Sequence, residues 1–253
     1  MFDSHCHPTD IEDPCEVVLA ACRAGVNGLL ACGYNHESNR AVLELRQRFP
    51  HLPFAIGIHP WFAEEPLDDL PSLLEREAPT VVGECGLDFA NDETLPSREL
   101  QYRAFEMQLG LAQLSRKAVT VHSRRAVAEV LETLAPYARV IGVMHAFGGS
   151  LEQAKAFVDR GWLIGIGGAV TRTNARRVHR LAAGLPLEAI ALETDAPAIG
   201  LQGVNPPDVR PAHLPEVARA VAALRGIELD SVIRVTDANV SRVFGINASS
   251  TCT

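Results

Sequence analysis

Eight short apolar runs recur along this chain, with helix-length segments between them. They are Met1–Ser4, Val26–Ala31, Phe54–Ile58, Thr80–Gly83, Ala118–Val121, Val140–Met144, Leu163–Ile166 and Ile190–Glu193. None shows the polar alternation of a sheet with one wet face, so each reads as a strand buried on both faces. Such strands are parallel, and parallel neighbours need a crossover, usually helical. Eight βα units predict an α/β fold that closes into a single (β/α)8 TIM barrel rather than an open sheet. The 253 residues match the usual length of that barrel. We assign residues 1–246 to one domain and read the small, polar segment 247–253 as a disordered tail.

The helical segments carry their own periodicity. Leu100, Ala104, Met107, Leu111 and Leu114 fall at offsets 0, 4, 7, 11 and 14, which predicts a buried helical stripe. Val217, Val221 and Leu224 repeat that spacing, and Asp230 is placed to cap a last helix that ends at Gly245. The Pro- and Gly-rich stretch Asp195 to Pro215 reads as a long loop after the eighth strand.

The formal net charge of −8 argues against a protein that coats a duplex, because such proteins present a broad positive surface. One phosphate or one strand end remains a compatible target, since bound cations add positive charge that the count omits. No apolar run is long enough to span a bilayer, and the start Met1-Phe2-Asp3-Ser4-His5 has neither a basic segment nor an apolar one. The six cysteines lack close CxxC pairing, and several lie in apolar stretches as small core residues. These features predict a cytoplasmic protein with no membrane association and no obligate protein partner.

The ionisable residues fall where the strands end. His5 and His7 follow the first run, His59 the third, Glu84 the fourth, His122 the fifth, His145 the sixth and Asp195 the eighth. In a (β/α)8 barrel the C-terminal strand ends converge on one mouth, where active sites are built. Strand alternation puts His5 and His7 on one side, so both imidazoles can reach one cation. Imidazole with carboxylate suits zinc, manganese, nickel or iron, whereas all-oxygen sites favour magnesium. Four of these histidines with two carboxylates exceed one tetrahedral shell, which predicts two divalent metal ions, with Glu84 as the bridge. Isolated histidines such as His36, His51 and His179 read as surface or structural residues.

At these positions the chain resembles the TatD family of metal-dependent deoxyribonucleases. The resemblance is carried by Asp3-Ser4-His5-Cys6-His7, Gly57-Ile58-His59-Pro60, Gly83-Glu84-Cys85-Gly86-Leu87-Asp88 and Val121-His122-Ser123-Arg124. It continues through His145-Ala146-Phe147-Gly148-Gly149, Gly165 to Thr171, Glu193-Thr194-Asp195-Ala196-Pro197, and Asn239 with Arg242 and Phe244. It implies a TIM-barrel hydrolase with two divalent metals held by His5, His7, Glu84, His122, His145 and Asp195. It also implies phosphodiester hydrolysis, typically from a DNA end. The family often has His-Cys-Phe-Ser-Gly where this chain has His145-Ala146-Phe147-Gly148-Gly149, and the loop Ile199 to Arg210 is similar to one branch of it.

The expected chemistry is attack on phosphorus by a metal-activated hydroxide, with Asp195 as both ligand and proton acceptor and Glu84 as bridge. His59 and Arg124 are candidates for holding substrate phosphate, His59 alternatively for protonating the leaving oxygen. Asp88 is placed to orient a ligand, and Trp61 and Phe62 to stack on a base. The substrate is expected to be a nucleic-acid end or a small phosphodiester. Two rivals share the same residues. One is an amidohydrolase cutting a C–N or ester bond, although no strand-end lysine offers a carboxylated bridge. The other is a non-catalytic binding protein with a structural metal.

Overall fold

The eight runs pair in chain order as one parallel sheet, β1 to β8, in a computed structural model that describes residues 1–91 and 93–247. The strands are β1 (Phe2–Cys6), β2 (Gly28–Cys32), β3 (Phe54–Ile56), β4 (Val81–Asp88), β5 (Ala118–Arg124), β6 (Gly142–Met144), β7 (Leu163–Ile166) and β8 (Ile190–Leu192). Between and after them lie α1 (Pro14–Arg23), α2 (His36–Arg48), α3 (Leu70–Glu77), α4 (Arg98–Ser115), α5 (Val127–Thr133), α6 (Leu151–Val158), α7 (Arg176–Gly184), α8 (Leu214–Arg225) and α9 (Leu229–Phe244). This is the expected (β/α)8 barrel. Of the predicted tail, residues 248–253 lie outside the described residues. Among the described residues no helix is long and apolar enough to cross a membrane.

The seam between β8 and β1 closes by a different route from the other joins. Asp195 N–H donates to the His5 carbonyl at 2.9 Å, and His7 N–H to the Ala196 carbonyl at 2.8 Å. Just below, the Asp3 carboxylate accepts from the Thr194 N–H at 2.9 Å and its hydroxyl at 2.6 Å. A side chain thus supplies the pairing that a strand carbonyl supplies elsewhere.

Two apolar layers surround the sheet. Phe2, Leu30, Val81, Val143 and Leu163 belong to the smaller cluster, which Val240, Val243 and Phe244 of α9 complete. The Phe2 and Phe244 rings meet edge to face, 6.5 Å apart. The larger cluster packs the other strand face against the surrounding helices. Local signals fix the helix starts: Asn35 and Ser38 form a reciprocal cap on α2, as Ser150 and Gln153 do on α6.

Three expectations need correction. β1, β4 and β5 run past the predicted ends, so His5, Glu84 and His122 lie inside strands rather than after them. The apolar runs stop at these residues only because the barrel interior turns polar there.

The stripe predicted on α4 is rotated: Ala104 is buried as expected, but Leu100, Met107 and Leu111 are only partly buried against the core. Its buried residues are Gln101, Ala104, Phe105, Gln108, Leu109 and Ala112, while Leu114 is 83% exposed. The buried glutamines satisfy backbone groups at strand ends. Gln108 accepts from Ile58 N–H at 2.8 Å and donates to Ile58 C=O at 2.9 Å. Gln101 does the same for Asp88, at 2.8 and 3.0 Å.

Asp230 lies in the first turn of α9, whose N-cap is Glu228, and makes no cap hydrogen bond. Gly245 ends that helix as expected, with φ of 66°.

Candidate metal centre

Barrel closure gathers His5, His7, His59, Glu84, His122, His145 and Asp195, separated by up to 190 positions, at one mouth. All but His122 are nearly fully buried. His5 and His7 share a side of β1, their Nε2 atoms 3.2 Å apart.

Two donor groups meet at Glu84. Its Oε2 lies 3.3 Å from His5 Nε2 and 3.4 Å from His7 Nε2. Asp195 Oδ1 lies 3.7 and 3.5 Å from the same two nitrogens. Around a tetrahedral cation with bonds of about 2.0–2.1 Å, ligand atoms sit about 3.3–3.4 Å apart. The Glu84 spacings match that shell, and the Asp195 spacings are slightly longer. Asp195 Oδ1 is also buried without a hydrogen bond, although it faces both imidazoles. A buried carboxylate oxygen with no donor is costly, and a cation there would satisfy it. The group fits a divalent metal.

The other oxygen serves the second group. Glu84 Oε1 lies 2.8 Å from His145 Nε2, 3.3 Å from His59 Nε2 and 3.4 Å from His122 Nδ1. His122 Nδ1 and His145 Nε2 are 3.3 Å apart. His59 therefore stands among the donors, closer to them than a purely substrate-facing role would require.

Outer contacts fix each ring. His7 presents Nδ1 to the Cys32 carbonyl at 3.0 Å, and His5 presents Nδ1 to the Thr120 hydroxyl at 2.9 Å. His122 Nε2 meets Asp88 Oδ2 at 3.1 Å, so its Nδ1 faces Glu84. Asp88 Oδ2 also accepts from the Trp61 indole N–H at 2.7 Å. Trp61 itself is 48% exposed at the mouth. Arg124 is largely exposed there too, with Nη1 3.9 Å from Asp88 Oδ2.

The electrostatics follow from burial and from the crowding of ionisable groups. Burial opposes charge on every group, yet the surrounding imidazoles hold Glu84 well below the ordinary carboxylate range, and Asp195 below it as well. Burial also opposes charge on His7, but Asp195 and Glu84 raise it to about 9; His122 reaches about 9 against the same burial, through Asp88 and Glu84. Burial, helped by neighbouring imidazoles, lowers His5 and His59 to about 4.

Several residues at this mouth escape the sequence reading. Glu193 is fully buried, and its Oε1 accepts from Ala146 N–H at 2.5 Å, next to His145. Ala146 and Asp195 both have left-handed backbone, with φ of 43° and 51°. Asn39 bridges both backbone groups of Gly57, two residues before His59. Gly86 lets β4 approach β5 at the site, since a Cβ there would lie 2.0 Å from the His122 carbonyl oxygen. Asp3 and Glu193 were discoverable as acids inside otherwise apolar runs.

The chain is similar to known proteins along nearly its whole length. The family of TatD related DNases matches residues 2–245. The "3'-5' ssDNA/RNA exonuclease TatD" of Citrobacter rodentium is 33% identical, over 99% of this chain and 100% of its own length. The "Uncharacterized metal-dependent hydrolase YjjV" of Escherichia coli K12 is also 33% identical, over 97% of this chain and 98% of its own. The crystal structure of the same TatD homologue YjjV superposes with a TM-score of 0.90, at 32% identity, and covers 97% of this chain and 98% of that one. A matched family profile, relatives aligned end to end and a shared barrel give one conclusion: the chain belongs to the family of TatD related DNases and is a metal-dependent hydrolase.

Proposed function

We propose that this protein is a two-metal phosphodiesterase that removes nucleotides from the end of a single strand of nucleic acid. The observation that carries the reading is Glu84, which turns one carboxylate oxygen to each of two donor groups. His5, His7 and Asp195 would hold one divalent cation and His122 and His145 the other, with Glu84 between them. The nitrogen-rich donors favour zinc, manganese or nickel over magnesium. Bound cations would lower the pKa of water and neutralise charge that builds on phosphate oxygens.

The chain's own groups do the rest. Asp195, held as a carboxylate by its imidazole neighbours, accepts the proton of the attacking water. His59, hydrogen-bonded through Nδ1 to the Trp61 N–H at 3.2 Å, keeps Nε2 toward the centre and steadies a phosphate oxygen or the leaving group. Arg124 offers a planar fork for the scissile phosphate. Exposed Trp61 gives a terminal base a stacking face, which suits a sequence-tolerant activity. Relatives named as 3'-5' ssDNA/RNA exonucleases support this substrate class.

The test is direct. His122→Ala and Asp195→Ala are compared with wild type for bound metal and for release of mononucleotides from a short DNA strand. Both variants should lose metal and turnover; unchanged metal content and turnover would reject the assignment.

A further inference from the structure

The metal centre opens into a cavity of about 1160 Å3. That exceeds the range of about 300–1,000 Å3 that typically holds one small ligand. The cavity has two chemically different sides. In a closed ring of eight strands in chain order, β3 and β7 lie opposite each other. After β3 come Trp61 and Phe62; after β7 comes α7 with Arg177 and Arg180, and Arg125 follows β5. Trp61 and Phe62 thus follow the strand opposite the one that leads to Arg177 and Arg180, and Arg125 follows a strand between the two.

These arginines have no internal task that consumes their charge. All three are exposed, and among the described residues none has a carboxylate within 4.0 Å. Arg177 and Arg180 lie one helical turn apart, so they share a face of α7. Arg177 donates through Nη1 to the Gly148 carbonyl at 2.7 Å, which holds its guanidinium beside the loop that follows His145. Glu129 and Glu152 also line the cavity, and Glu152 feels both Lys155 and Arg180. His145, Gly148 and Arg177 line the same cavity. In a chain of net charge −8, unpaired arginines at the mouth mark a local anion site rather than a general basic surface.

We propose that Arg125, Arg177 and Arg180 form a second phosphate subsite, which grips the strand backbone beyond the bond being cut. The subsite gives an oligonucleotide contacts that an isolated phosphodiester cannot make, so the longer substrate is favoured. The inference rests on the phosphodiesterase reading above and specifies its substrate. Guanidinium forks suit phosphate oxygens, and contacts to backbone rather than bases leave sequence free.

The experiment uses Arg177→Gln/Arg180→Gln, Arg125→Asn and, as control, Arg48→Gln in the last turn of α2 at the far end of the barrel. Asn tolerates the left-handed backbone of Arg125, whose φ is 54°. Fluorescence anisotropy follows binding of a labelled single-stranded decanucleotide to metal-depleted protein across roughly 50–200 mM salt. The double variant should bind about tenfold or more weakly, with a log K against log salt slope shallower by about 1.4, for two lost phosphate contacts. Arg125→Asn should flatten the slope by about 0.7, and Arg48→Gln should keep the wild-type slope. With metal-loaded protein, the ratio of kcat/KM for the decanucleotide to that for bis(p-nitrophenyl) phosphate should fall about tenfold in the double variant. A wild-type slope and ratio in the arginine variants, or equal losses on both substrates, would overturn the subsite while leaving phosphodiester hydrolysis standing. A wild type that hydrolyses neither substrate would remove the phosphodiesterase reading, and this inference with it.

Discussion

Asp88 and His122 are joined by a 3.1 Å contact between a carboxylate oxygen and Nε2, and this contact decides which nitrogen of His122 faces the centre. The same oxygen accepts the indole N–H of Trp61. Burial works to raise the Asp88 pKa, but His122, the Ala90 N–H and Trp61 bring it down to about 2, so it stays a carboxylate at any working pH.

Asp88→Asn should therefore weaken one metal more than the other. The amide removes the negative acceptor behind His122, and loss of such support typically costs about 10–100-fold in metal affinity. His5, His7 and Asp195 do not touch Asp88, so the metal bound on their side should remain. Titration of metal-free protein with zinc, followed by metal analysis, should show one site as in wild type and one shifted. Two unshifted sites would show that Asp88 does not position His122.

Metal loading should release protons, with a defined pH dependence. In the metal-free cluster His7 and His122 titrate near 9, so both carry protons at neutral pH. His5 and His59 titrate near 4 and are already neutral there. A cation must displace protons from the raised pair, so apparent affinity should rise with pH up to about 9 and fall below it. Calorimetry at pH 7 in buffers of differing ionisation heat should give up to two protons released, one from each raised histidine. Binding heat independent of buffer would contradict this.

How much of this was legible in sequence depends on where each residue's partner lies. The spacing of His5 and His7 sufficed, because both partners sit on one strand. Glu84, His122, His145 and Asp195 were legible because an ionisable group beside an apolar run has few uses except at a barrel mouth. Asp3 stands out as an acid in an apolar run, but its role does not, since its partner Thr194 lies 191 positions away and the contact exists only once the ring closes. Gln101 and Gln108 look like the wet face of a helix, and only the stranded backbone groups of Asp88 and Ile58 draw them inward. Periodicity located α4 but misplaced its buried face, because it counts apolar residues and not unmet hydrogen bonds.

Two glycines near the mouth should respond in opposite ways. A Cβ at Gly165 would lie 2.4 Å from Oε2 of Glu193. Glu193 is fully buried and holds the Ala146 N–H, so it has little room to yield. Gly165→Ala should cost about 1–3 kcal/mol and loosen the turn after His145. Gly148→Ser, with open space around it, should change stability by no more than about 0.5 kcal/mol. Urea unfolding of both variants measures the contrast; equal effects would contradict the packing described for Glu193.

The rotated face of α4 gives the sharpest test of how the helix supports the centre. Gln108→Leu keeps the side chain's bulk but leaves the N–H and C=O of Ile58 without partners in a buried place. Each unmet group costs about 1–3 kcal/mol, so a loss of about 2–6 kcal/mol is expected for the two. His59 follows Ile58 directly, so its Nε2 should lose its fixed aim at Glu84 and activity should fall further than stability alone explains. Leu114→Lys, on the stripe that periodicity favoured, should change stability by no more than about 0.5 kcal/mol, because that side chain is 83% exposed. Denaturant midpoints for the two variants, with turnover measured where each remains folded, separate the alternatives. A costly Leu114→Lys beside a harmless Gln108→Leu would mean that α4 faces the barrel with the apolar stripe after all.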